Sequence, residues 1–292
     1  MFRPDLFKGK RFLVTGGGTG LGRIMMEKFV ELGADCVICG RRSGVLEDTA
    51  REVMAKFPGR RVETHTVDIR VATAVEEMVE QIWAVGALDG LVNNAAGNFI
   101  SQTKDLSPRA FDAIANIVLH GSFYVTNACG KRWIADKRKA SVLSILTTWV
   151  WTGSPFVVPS AMSKAGVAVM TQSLAVEWGR HGIRLNAIAP GPFPTEGAWA
   201  RLNPMGESDS DRYKARNPMG RVGKPHELAN MAAFLMSDEV AYINGEIVAI
   251  DGGMGIMGNG TFSGMLSYSE DDWRRIREQI QSTNAADRAK RG

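Results

Sequence analysis

Seven short apolar runs alternate along the chain with segments of helical period, and this alternation narrows the possible folds more than any other feature. RFLVTGG, DCVICG, VETHTVDI, DGLVNNAAG, SVLSILTT, IRLNAIAPG and EIVAIDGG read as strands, because they are short, rich in β-branched residues and bounded by turn formers. Five are followed by a plausible helix before the next strand, GLGRIMMEKFVELG and VEEMVEQIWAVG among them. Repeated strand–helix units predict an α/β fold, a doubly wound parallel sheet with helices on both faces. The 292 residues, 45% apolar and 23% charged, supply the core of one large domain. No internal repeat or low-complexity linker divides them.

Two segments read as additions to that single domain, 1–292. Residues 193–219 are rich in Gly, Pro and polar side chains and follow the C-terminal end of a strand, the place of a substrate lid. Residues 254–292 form a C-terminal extension containing a charged helix, SEDDWRRIREQIQST, with Ser269 as its expected N-cap.

Charge and cysteine usage exclude more than they identify. A net charge of +4 suits an anionic small molecule and carries no case for nucleic acid. No apolar run reaches the ~18 residues that span a bilayer, and the first residues lack the apolar region of a signal peptide. Cys36 and Cys39 have CxxC spacing, but residues three apart on a strand point to opposite faces. They read as filler with no metal site, and a reduced, cytoplasmic protein is the expectation.

TGGGTGLG, residues 15–22, joins the first strand to the first helix. Gly16, Gly20 and Gly22 allow a tight turn and close approach of a pyrophosphate to the helix N-terminus, with Gly18, Thr19 and Leu21 completing the loop. The second strand ends in Gly40, Arg41 and Arg42 with no carboxylate to hold a ribose 2′-hydroxyl. A guanidinium at Arg41 suits a 2′-phosphate instead, so NADP(H) is the expected cofactor.

TGGGTGLG, Asp68 at the end of VETHTVD, NNAAG at 93–97, Lys164 and the Pro190-Gly191-Pro192 run together resemble the short-chain dehydrogenase/reductase family over residues 8–253. The resemblance implies a Rossmann-type fold, usually a homotetramer. It implies that Asp68 contacts adenine, that Asn93, Asn94 and Ala95 line the cofactor, and that Lys164 binds the nicotinamide ribose. Pro190, Gly191, Pro192 and Phe193 would hold the carboxamide end.

The family's usual Asn, Ser, Tyr and Lys are represented here by Val118, Thr147, Ser160 and Lys164. A serine hydroxyl is far less acidic than a phenol, which disfavours simple ketone reduction. NNAAGNFI, IVLHG, TGSPFVVPSAMSKAG and TEGAWARLNPMG resemble a narrower group, the 2,4-dienoyl-CoA reductases, particularly the mitochondrial type. That resemblance implies NADPH-dependent reduction of an acyl-CoA thioester, with hydride going to the far end of the diene and charge developing on the thioester oxygen. Asn98 would donate to that oxygen, while Phe99 and Ser107 would contact acyl or pantetheine groups. Arg70 and Arg201 would face the CoA. The tyrosine of the mitochondrial type falls on Trp149 and the aspartate of the peroxisomal type on Ala168, so no side chain is identified as proton donor. Asn98, with Trp149 or Ser160, is expected to stabilise the dienolate while water protonates carbon.

Two other readings stay open, a carbonyl or alcohol oxidoreductase with a water-relayed acid and a non-catalytic NADP-binding protein. His120 and His181 read as structural, Trp149 as lining the substrate site, and Trp151 as a packing aromatic. Met25, Met26, Met231 and Met236 read as core.

Overall fold

The computed structural model describes residues 1–195, 216–258 and 260–291. All seven expected strands form: β1 (Arg11–Thr15), β2 (Asp35–Gly40), β3 (Val62–Thr66), β4 (Gly90–Asn93), β5 (Ala140–Ile145), β6 (Ile183–Pro190) and β7 (Ile247–Ile250). They make one parallel sheet in the order β3-β2-β1-β4-β5-β6-β7. Helices α1 (Gly20–Glu31), α2 (Ser43–Lys56), α3 (Ala72–Val85), α4 (Pro108–Ala115), α5 (Gly121–Ala135), α6 (Trp149–Thr152) and α7 (Val158–Gly179) precede β6. α8 (Pro225–Met236) precedes β7, and α9 (Met254–Met257) and α10 (Glu270–Arg291) follow it.

The apolar strands have no polar side because both faces of the sheet are covered. On one face Phe12, Val14, Cys36 and Ile38 meet Met25 and Phe29 of α1 and Ala232 of α8. On the other, Leu13, Val37 and Cys39 meet Val79 and Ile82 of α3, Trp133 of α5 and Trp178 of α7. Each large side chain buried this way contributes roughly 1.5–3 kcal/mol. Cys36 and Cys39 thus lie on opposite faces, as the strand period requires, and Met25 and Met26 are fully buried core. On the second face α5 and α7 approach closely: a Cβ at Gly130 would lie 2.4 Å from the Trp178 ring.

β1 pairs with β2 on one side and β4 on the other, so the strand order reverses there. Crossovers leave β1 and β4 in opposite directions, which opens a crevice beyond their C-terminal ends. Because every strand runs the same way, Gly16, Arg41, Asn94, Leu146 and Gly191 all follow strand ends on this one edge.

α7 begins at Val158, with Pro159 in its first turn, where no N–H is needed. Three local features depart from the sequence reading. Residues Asn116–His120 form a π-helical turn between α4 and α5. α10 starts as expected, with Ser269 Oγ accepting from Asp272 N (3.2 Å) and Asp272 Oδ2 accepting from Ser269 N (2.9 Å), but it continues to Arg291. Trp151, read as packing, is instead 54% exposed on the short helix α6. Among the described residues no helix is long and apolar enough to cross a membrane.

Candidate active site

The β1–α1 turn is shaped by what its glycines lack. Gly16 has φ +66°, in the left-handed region where a side chain is strained. A Cβ at Gly22 would lie 2.4 Å from Asn94 Nδ2 and 2.5 Å from the Gly16 carbonyl oxygen. Thr19, the N-cap residue of α1, is extended and makes no side-chain bond to the first turn, so the opening N–H groups have no side-chain cap. Gly18, Gly20 and Leu21 complete the turn. Their backbone and the positive end of the helix dipole suit a diphosphate.

Two residues hold this cradle that the sequence did not single out. Thr15 Oγ1 accepts from Asn94 N and Ala95 N (both 3.0 Å), and Asn94 Nδ2 donates to the Thr15 carbonyl (3.0 Å). The ends of β1 and β4 are thereby locked together. Thr49 of α2 is buried and donates to the Gly18 carbonyl at 2.8 Å. Thr15 stood inside the quoted motif, whereas Thr49 has no sequence signal beyond the period of α2.

Arg41 and Arg42 are exposed at the end of β2. Beyond β3, the Arg70 guanidinium bonds both carboxylate oxygens of Asp68 (Nε 2.9 Å from each). These hydrogen bonds, and more distantly Arg41, hold the Asp68 carboxyl below its ordinary pKa. Arg70, expected to face the CoA, is therefore tied to the residue expected at the adenine.

At the end of β5 the buried Lys164 ammonium donates to the Ile145 carbonyl. Burial pushes its pKa down from 10.5 to about 8. Ser160, one turn earlier on α7, is also buried, and Thr147 and Trp149 stand half-buried where the chain leaves β5. Val118 is fully enclosed in the π turn, where its carbonyl accepts from Ser122 Oγ at 2.7 Å.

Beyond β4, Asn98 Oδ1 accepts from Phe99 N at 2.9 Å. That bond orients the amide, whose donor atom is Nδ2. The same loop is pinned by Ser101 N donating to the Phe156 carbonyl, 2.9 Å. Ser107 serves as the N-cap of α4, accepting from Ala110 N at 3.2 Å.

Pro190 ends β6, and Gly191 lies so close to β7 that a Cβ would fall 2.8 Å from Asp251 Cα. Pro192 and Phe193 follow; the Phe193 ring is buried against Gly223, so its side chain serves packing. A cavity of about 230 Å³ opens beside them, walled by Asn217, Asp251 and Arg221. Asn217 Nδ2 donates to the Asp251 carbonyl (2.8 Å), joining the last residues of the expected lid segment to the end of β7. Arg201 and residues 196–215 of that lid lie outside the described residues, as does Tyr213.

A family model described as enoyl-(acyl carrier protein) reductase matches residues 16–255. A probable 2,4-dienoyl-CoA reductase, (3E)-enoyl-CoA-producing, of Caenorhabditis elegans is 44% identical over 99% of this chain and 95% of its own length. A probable 2,4-dienoyl-CoA reductase, (2E)-enoyl-CoA-producing, of Bacillus subtilis is 42% identical over 84% of this chain and 96% of its own. Among solved structures, a gluconate 5-dehydrogenase from Burkholderia cenocepacia in complex with NADP and tartrate superposes with a TM-score of 0.79. It is 30% identical over 86% of this chain and 97% of its own. With the seven-stranded sheet, the glycine turn and the buried lysine at the same crevice, these likenesses establish that the chain belongs to the short-chain dehydrogenase/reductase family.

Proposed function

We propose that this protein is an NADPH-dependent reductase of 2,4-dienoyl-CoA thioesters. The observation that carries the reading is Asn98, its amide oriented by the bond from Phe99 N, on the loop after β4, at the same sheet edge as the buried Lys164, with Ser160 rather than a tyrosine one turn before that lysine. That set suits stabilising an extended anion on oxygen better than protonating an alkoxide. The relatives named as dienoyl-CoA reductases support it.

The residues present fit a nicotinamide dinucleotide. The Gly16–Gly22 turn, where a Cβ at Gly22 would collide with Asn94, takes the diphosphate at the start of α1. Arg41 suits a 2′-phosphate, Asp68 the adenine, Asn94 and Ala95 the central ribose, and Pro190–Phe193 the carboxamide end. Bound there, the reduced cofactor supplies a hydride equivalent. Asn98 Nδ2 donates to the thioester oxygen as negative charge spreads onto it, and Lys164 adds positive potential close by. Thr147, Ser160 and Trp149 offer hydroxyl and indole donors, and Phe99 and Ser107 flank the thioester arm. Arg201 supplies a cation for the CoA phosphates, while Arg70 is engaged by Asp68. One proton from solvent reaches the α-carbon, so that dienoyl thioester, NADPH and a proton give a 3-enoyl thioester and NADP⁺. Met162, Val169 and Val176 lie exposed seven residues apart along α7, a surface suited to a second copy in a homo-oligomer.

NADPH oxidation with 2,4-dienoyl-CoA but not with 3-oxoacyl-CoA is the expected result, and NADH should be used less well. Asn98→Ala should lower kcat on the dienoyl thioester by about 10²–10³. Turnover of the oxo substrate alone, or an Asn98→Ala variant at full activity, would overturn the reading.

A further inference from the structure

Phe156 breaks two local rules at once. Its φ is +66°, in the left-handed region that bulky side chains avoid, and its ring is 53% exposed. Among the described residues the only other non-glycine with positive φ is Lys137, and that one sits in the turn that ends α5. Phe156 follows Pro155 in the turn just before α7, a turn position where a positive φ ordinarily calls for glycine. Backbone strain of this kind persists where neighbouring structure enforces it, and it concentrates at functional sites. The bond from Ser101 N to the Phe156 carbonyl holds this residue's backbone against the Asn98–Ser101 loop.

Other exposed apolar side chains stand on the segments that converge here. Ile100 follows Phe99, and Trp151 lies on α6 two residues beyond Trp149. α9 packs on the start of α6, since a Cβ at Gly255 would lie 3.2 Å from the Thr148 side chain. Ile256, the next residue, is 79% exposed. Scattered exposed apolar residues need no explanation, but a set grouped at the mouth of a site marks a binding surface.

We infer that Ile100, Trp151, Phe156 and Ile256 form the seat of the substrate's acyl tail and make the enzyme selective for long-chain 2,4-dienoyl thioesters. This rests on the dienoyl-CoA reading above. Ile100 lies two residues beyond Asn98, the proposed donor to the thioester oxygen, and the tail beyond the diene is the apolar part of the substrate. A seated methylene gains up to about fourfold in binding.

The test is kcat/KM for hexadienoyl-, decadienoyl- and tetradecadienoyl-CoA with the full-length protein. It should rise by at least about tenfold from the first to the last. Phe156→Gly should not lower Tm, because it releases the left-handed strain, yet it should flatten that rise, with the loss falling on KM rather than kcat. Trp151→Ser and Ile256→Ser should flatten it as well. A length-independent profile with hexadienoyl-CoA turned over would overturn this inference alone, and absence of turnover at every length would overturn both. Variants that alter oligomeric mass but keep the length profile would assign the patch to a second copy of the chain and overturn the acyl seat.

Discussion

Lys164 is the residue at which burial and charge conflict. Its ammonium is enclosed and bonded to one carbonyl, and its pKa falls from 10.5 to about 8 because the charged form is desolvated. Below pH 8 folded and unfolded chains both carry the proton, and the desolvation penalty is fully present. Between about 8 and 10.5 the unfolded chain holds a proton that the native state has released, so stability rises with pH through that window. Lys164→Met should therefore be more stable than the parent at neutral pH, by on the order of 1–2 kcal/mol. That advantage should shrink towards zero by pH 10.5, where the parent's lysine is neutral in both states. Denaturant titrations at the two pH values would measure it, and an advantage growing with pH would refute it. Activity should move oppositely, being lost in the variant and declining in the parent as pH passes about 8.

Among the elements, two glycines with similar crowding separate stability from ligand binding. A Cβ at Gly22 would press on Asn94 and Gly16 in the β1–α1 turn, whereas one at Gly130 would press on Trp178 between α5 and α7. Each alanine variant should cost about 1–3 kcal/mol by overpacking. Only Gly22→Ala should also weaken NADPH binding, by tenfold or more, since the atoms it displaces belong to the cradle. Melting curves with and without NADPH would separate the two. Equal loss of affinity in both variants would refute the distinction.

The contrast also shows why some features were readable and others were not. The strands and the glycine turn announce themselves through short-range period and residue type. The support of Gly18 by Thr49, from a different element, depends on partners brought together by folding, whereas the π turn at Asn116–His120 and the pairing of Arg70 with Asp68 are local but carry no distinctive residue pattern. Trp151 was misread because an aromatic near a strand end is equally compatible with packing and with exposure, and only the short α6 decides it. At the candidate site, Lys164 and Asn98 were legible through their motifs. The bond from Phe99 N that orients the Asn98 amide was not, because it depends on the local course of the loop.

For the whole molecule, the parallel order places every strand's C-terminal end on one edge and leaves the sheet's two faces for packing alone. The cysteines on β2 fall on both faces, and Cys129 of α5 joins those of the second. All three are buried, and burial pushes each thiol's pKa up, Cys39 to about 12. A thiolate-seeking reagent finds neither access nor the reactive form in the native state. Cys36, Cys39 and Cys129 should therefore be alkylated together in one slow phase, with no rapid fraction, and NADPH should lengthen that phase by favouring the folded state. A single fast-reacting thiol would contradict this. Because the cysteines sample both layers, the alkylation rate times the opening of the whole sheet, giving the chain an internal clock for its own unfolding.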